Sequence, residues 1–278
     1  MKRILLYGNC QLGAVLACMN LKEAVYEHII CHKTDISKNE FAAKIAECDI
    51  LITQNIAKGY RNKGYLDTEW VVEAAGSSKQ ILVLDTCHFR TYFYDYIASP
   101  EWAGSVSAYS YKAMLEYIEQ GKTVEEYIND VVLNEDYRDG SFLEKQARQD
   151  LKELERRGRV IDSKFGTNPN VAVVHIHDFV QDNYRSQLLF HSVNHPAGAL
   201  LRFMGEKILN ICKLDGTIRK RLDPLGAERC ILYHSLRGLV SFPMREPSSK
   251  DKQYGLKTLC ERYWAAAAAA AGVTRLRD

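Results

Sequence analysis

Arg3-Ile-Leu-Leu-Tyr-Gly8-Asn-Cys-Gln-Leu-Gly13 opens as a short apolar run, breaks at a glycine, then starts an apolar-periodic segment through Leu12, Val15, Leu16 and Met19. It reads as a strand handing over directly to a helix. Further apolar runs follow at Tyr26 to Cys31, at Ile50-Leu-Ile-Thr53 and at Ile81-Leu-Val-Leu84. Short apolar strands separated by helices imply a parallel sheet covered on both faces. Residues 1–99 are therefore expected to be α/β, a parallel sheet with flanking helices of Rossmann-like build. From about Pro100 the pattern turns to long helical segments, so 100–264 is expected to be a mainly helical part. Ser37/Glu40, Thr123/Glu126 and Ser141/Glu144 have the spacing of capping boxes. Val171 to Val180 alternates like a strand but continues through Leu188 and Phe190 like a helix, and the reading favours a helix entered near Asp178. Residues 265–278, an alanine run and a short polar end, form a low-complexity tail: a helical extension, a disordered tail or a cloning artefact.

The 278 residues are 46% hydrophobic and 26% charged, which is ordinary globular usage and excludes collagen-like and wholly disordered classes. A net charge of +2 lacks the basic footprint of a dedicated nucleic-acid binder, so no nucleic-acid partner is expected and any anionic ligand should be small. The basic opening carries too short an apolar run for a signal peptide, and no membrane span is evident. The protein is read as cytoplasmic. Its eight cysteines form no CxxC pair, and most are expected to be small buried hydrophobes.

Cys10 differs, because it follows the first strand and starts the first helix. Ligands of open parallel sheets collect beyond the carboxyl ends of the strands, and a thiol at a helix N-terminus is readily ionised. Gly8 permits a tight turn there, while Asn9 and Gln11 offer donors to an oxyanion or a phosphate. A second candidate is Phe190-His-Ser-Val-Asn-His-Pro196. Proline favours the first helical position, which makes His195 the expected N-cap, its ring kept neutral for general-base work, with Asn194 beside it to orient ring or substrate. His191 and His195 also stand four apart, but Pro196 argues against a shared helical face and the glutamate of a zinc motif is missing, so no metal is expected. Gln54 and Asn55 end another strand and add neutral donors; Lys58, Arg61 and Lys63 behind them, with His88 and Arg90 on the next loop, suit phosphate groups. The aromatic run Phe89, Tyr92, Phe93, Tyr94 and Tyr96 reads as packing.

In this order, Gly8-Asn9-Cys10-Gln11, Gln54-Asn55, Asp178-Phe179 before Leu189-Phe190, and Asn194-His195-Pro196 resemble the WcbI-like polysaccharide biosynthesis proteins, over roughly residues 3 to 210. That resemblance implies a bacterial protein of a capsule or surface-glycan pathway that binds coenzyme A and acts as an acetyltransferase. Cys10 and His195 would be nucleophile and base, and Asp178 is the expected third member. The chain is also similar to SGNH hydrolases, with cysteine in place of serine. The loop Thr86-Cys-His-Phe-Arg90 departs from the proline-containing pattern of the family. The expected activity is an O-acyltransferase of the EC 2.3.1 type. It would use acyl-coenzyme A or acetyl-coenzyme A as substrate and donor, with a sugar or glycan as acceptor. The alternatives are a cysteine-dependent SGNH-like esterase or thioesterase, and a non-catalytic coenzyme A or nucleotide-binding protein.

Overall fold

In the computed structural model, which describes residues 1–98, 109–226, 230–244 and 255–270, five short apolar runs line up as one parallel sheet. They are β1 (Lys2–Gly8), β2 (Ala24–Ile30), β3 (Ile50–Gln54), β4 (Gln80–Leu84) and β5 (Val171–Val174), in the spatial order β2-β1-β3-β4-β5. One row of the register runs His28, Leu6, Ile52, Leu82, Ala172. The three central strands are apolar almost without interruption because both of their faces are covered.

Nine helices are described: α1 (Cys10–Ala17), α2 (Lys38–Glu47), α3 (Thr68–Ala75), α4 (Lys112–Glu119), α5 (Val124–Tyr127), α6 (Gly140–Phe165), α7 (His177–Asn183), α8 (Gly198–Cys212) and α9 (Leu256–Ala270). Side chains alternate across a strand, so Leu5, Tyr7, Leu51, Ile81 and Val83 share one face. There they meet Phe41 and Ile45 of α2, Val71 and Val72 of α3, and Ile161 and Phe165 of α6. On the other face α1 packs against α8, which also lies on β4 and β5.

Two compact units divide the chain. The first comprises Met1–His88, Leu151–Asn183 and the described part of Leu189–Ala227, and it holds the whole sheet. The second comprises Phe89–Asp150, Tyr184–Leu188 and the described residues from 230 on. The expected division at 99/100 lies outside the described residues. In the second unit Asp95 Oδ2 accepts from the Ala113 N–H that opens α4 and from the Tyr233 hydroxyl, each at 2.9 Å, and Tyr233 meets the Tyr127 hydroxyl at 2.8 Å. Phe89, Tyr92, Phe93 and Tyr96 are buried around this core, as their pattern predicts, and Phe242 is buried against Tyr92.

Thr123 and Glu126 form the full capping box; Ser37 accepts from the Glu40 N–H at 3.3 Å. The third box is not made. Asp139, whose carboxylate is the stronger acceptor, takes the Phe142 N–H at 2.8 Å and the Ser141 hydroxyl, while Glu144 pairs with Arg185. The ambiguous segment after residue 170 is both things in turn, strand β5 and then helix α7. Alanines 265–270 continue α9, with Ala267 and Ala268 buried; 271–278 lie outside the described residues. No described helix is long and apolar enough to cross a membrane.

Candidate active site

From β1 the chain runs out to β2 at the sheet edge and then returns past β1 to β3. The strand order reverses between β1 and β3, and such a reversal leaves a crevice outside their carboxyl ends. Gly8 ends β1 there, Asn9 caps α1 by accepting the Gln11 N–H at 2.8 Å, and Cys10 is the first helical residue. Cys10 is partly exposed, whereas the other seven cysteines are buried.

The Cys10 Sγ stands 3.7 Å from His195 Nε2. The histidine arrives on a tight antiparallel ribbon in which His195 pairs with Ser192 and Pro196 with Phe190. This corrects the expected cap: α8 starts at Gly198 with Ala197 as its N-cap, because the Ala197 N–H is used by Leu189 O at 2.8 Å. His195 is placed by the ribbon rather than by a helix end.

Two expected oxyanion donors are differently employed. Gln11, fully buried, donates through Nε2 to the carbonyls of Cys87 (2.9 Å) and Asn194 (2.6 Å), and its Oε1 accepts from the Cys87 N–H (3.0 Å) and from Gln54 Nε2 (2.8 Å). Gln54 Oε1 accepts the Asn9 N–H at 2.9 Å. Gly8 admits this approach, since a Cβ there would lie 2.6 Å from Gln54 Oε1. Asn194 contributes its carbonyl to Gln11, and its side chain accepts from Ser192. Asn55 is partly exposed, and its buried Oδ1 has no protein hydrogen-bond partner.

The WcbI family model, described as a polysaccharide biosynthesis enzyme, matches residues 3–217. The chain belongs to the WcbI family. A solved structure of WcbI, described as a novel polysaccharide biosynthesis enzyme and as native protein without a disulfide bond between coenzyme A and one of its cysteines, is similar to it with a TM-score of 0.72. That match has 18% identity and covers 99% of this chain and 96% of the other, and it shows the shared fold. No curated protein matches the sequence.

Asp178 does not join the pair in this WcbI-family protein. Helix α7 begins at His177, so Asp178 sits in its exposed first turn, 96% accessible, and bonds its neighbour His177 at 2.9 Å. His191 turns its Nε2 to Asp223 at 2.7 Å while His195 faces Cys10, so the two rings do not converge. Among the described residues no three His, Cys, Asp or Glu side chains form a metal-binding group.

The expected phosphate-binding cations are partly engaged. Lys63 pairs with Asp35 at 2.9 Å, and the Arg61 guanidinium donates to the carbonyls of Cys31 and Thr34. Lys58 is exposed and His88 partly buried; Arg90 belongs to the second unit, where its N–H bonds Asp150 and its guanidinium reaches Tyr96 O at 3.5 Å. His32, beside Cys31, is held below its usual range by burial and by Lys33 and Arg61. Burial pushes the Cys31 thiol up, with Cys10 among the neighbouring groups.

Sequence reading missed Asp85 at the end of β4, because a single aspartate after a strand looks like any loop residue. It is buried, accepts the Ile176 N–H at 3.1 Å and lies 3.4 Å from His175 Nδ1, whose Nε2 meets Asp162 at 3.0 Å. Burial raises the Asp85 carboxyl. The folded state thus holds this proton more tightly than the unfolded chain, whose aspartates titrate near about 4. The contribution is full below that value and is lost as pH rises through the raised one. Asp85→Asn keeps an acceptor for Ile176. It is expected to leave stability at pH 7 equal or about 1 kcal/mol higher, with a flatter profile above about pH 4, measured by urea unfolding. A loss exceeding about 1 kcal/mol at pH 7 would instead show an ionised Asp85 paired with His175.

Proposed function

We propose that the protein transfers an acyl group, acetyl in the simplest case, from an acyl-coenzyme A to a sugar hydroxyl in the building of a capsule or other surface polysaccharide. One observation carries the reading: the 3.7 Å approach of Cys10 Sγ to His195 Nε2 at the sheet's switch point. A thiol within reach of an imidazole is an activated nucleophile. The WcbI structure described with reference to coenzyme A supports the choice of donor.

In the first step His195 takes the thiol proton and Cys10 sulfur adds to the thioester carbonyl. The bond to the coenzyme A sulfur breaks, His195 returns the proton to that sulfur, and coenzyme A leaves as the thiol with His195 neutral again. In the second step the sugar hydroxyl adds to the acyl-cysteine while His195 takes its proton, and Cys10 is released as the thiolate. With Gln11 and Gln54 committed to protein groups, the Asn9 and Asn55 amides remain to stabilise the oxyanion, an effect worth about 3–4 kcal/mol for one good donor.

Incubation with acetyl-coenzyme A, followed by intact-mass and peptide analysis, should find one acetyl group on Cys10 that sugar acceptors discharge. Release of coenzyme A at the same rate without acceptor would make the protein a thioesterase. Transfer with no acetyl on Cys10 would assign direct attack with His195 as base, and binding without turnover across a broad donor screen would leave a binding protein.

A further inference from the structure

We propose that Gln11 and Gln54 are positioning residues that lock nucleophile and base into register, a role that rests on the Cys10–His195 pair being the reacting pair. Both amides are at most 2% exposed, and the orientation of each is fixed by main-chain groups. Cys87 presents its N–H to Gln11 Oε1 and its carbonyl to Gln11 Nε2, so a flipped Gln11 would set donor against donor and acceptor against acceptor. Gln54 must turn its Oε1 to the Asn9 N–H, which leaves its Nε2 for Gln11 Oε1.

The chain of bonds has a direction. Asn9, immediately before Cys10, is held by Gln54; Gln54 is held by Gln11; Gln11 holds the carbonyl of Asn194, immediately before His195. The main chain on either side of the 3.7 Å contact is thereby tied through two side-chain amides, with the loop after β4 as a third anchor at Cys87. Buried hydrogen-bond networks of this kind hold geometry tightly, and a catalytic contact displaced by about 1 Å costs on the order of 10²-fold in rate. Neither amide needs to touch substrate to act in this way.

Gln11→Glu separates position from bulk. It has the same shape and keeps an acceptor for Gln54 Nε2 and the Cys87 N–H, but it faces the carbonyls of Cys87 and Asn194 with oxygen. Cys10 alkylation by iodoacetamide, followed against pH, reads the pairing of Cys10 with His195 independently of any acyl donor; Cys31 is a further titratable neighbour in electrostatic reach. The Gln11→Glu profile should move about one pH unit towards an ordinary thiol, with roughly tenfold slower alkylation at pH 7. Gln54→Glu, which keeps the acceptor for Asn9, should move it less, and His195→Gln sets the full displacement. A folded Gln11→Glu protein with the wild-type profile overturns the proposal. An unchanged profile in His195→Gln would instead overturn the reading of the Cys10–His195 pair. If the glutamate variants fail to fold, nitrogen-15 spectra of the unaltered protein decide. The Gln11 side-chain amide protons should exchange slowly and shift as His195 titrates, and fast exchange or no shift overturns the proposal.

Discussion

Cys10→Ala should abolish acyl transfer, lowering kcat/KM by roughly 10³-fold or more, with a melting temperature within about 2 °C of the parent. The small structural effect follows from position. Cys10 opens α1 and is partly exposed, so alanine, the best helix former, fits without a buried cavity. The large functional effect follows from the proposed mechanism, in which the thiolate forms the covalent intermediate. Cys10→Ser should also be severely impaired, because His195 must then activate a hydroxyl far less acidic than a thiol. Retention of more than about a tenth of the parental rate in Cys10→Ala would remove the covalent route and transfer the main role to His195, whose replacement by glutamine would then cost more.

Gly8→Ala should destabilise the fold by about 2–3 kcal/mol and reduce turnover beyond what that loss explains. The backbone at Gly8 does not call for glycine; the space around it does. An added Cβ would lie 2.6 Å from Gln54 Oε1 and 2.7 Å from Leu12 Cδ1, and neither neighbour can move cheaply. Leu12 is fully buried in the helix face that meets the sheet, and Gln54 holds Asn9 and Gln11. Urea unfolding with an unchanged slope, together with kcat, would measure both effects. Gly64→Ala is the control, since a Cβ there meets nothing within 4 Å. A Gly8→Ala protein with the parental midpoint would show that this junction is looser than its contacts indicate.

The sheet was legible because a strand covered on both faces cannot afford polar residues, and Ile50-Leu-Ile and Ile81-Leu-Val-Leu84 show that plainly. Strand β5 was harder to see: only two residues separate it from α7, so two periodicities overlap in one short stretch. Its return to β4 after residues 85–170 was invisible too, since a register between distant segments leaves no local mark. In the site, Cys10 and His195 stood out because their residue types and flanking Gly8 and Pro196 restrict what they can do. Asp178 was misassigned because an acid at the start of a helix is common for helix-dipole reasons unconnected with catalysis. The task of Gln11 could not be read at all. A buried structural amide and an oxyanion donor are the same side chain, and its partners here include the main chain of Cys87 and Asn194.

Cys10 and His195, the proposed reacting pair, are separated by 185 residues. At a synthesis rate of about 5–20 residues per second, His195 leaves the ribosome roughly 10–40 s after Cys10. Gln11 likewise waits for Cys87 and Asn194, and the parallel sheet waits for β5. The nascent chain therefore carries an ordinary cysteine through most of its own translation. On the proposed mechanism, nucleophilic power at Cys10 arrives only once the segment carrying His195 has been made and folded against it.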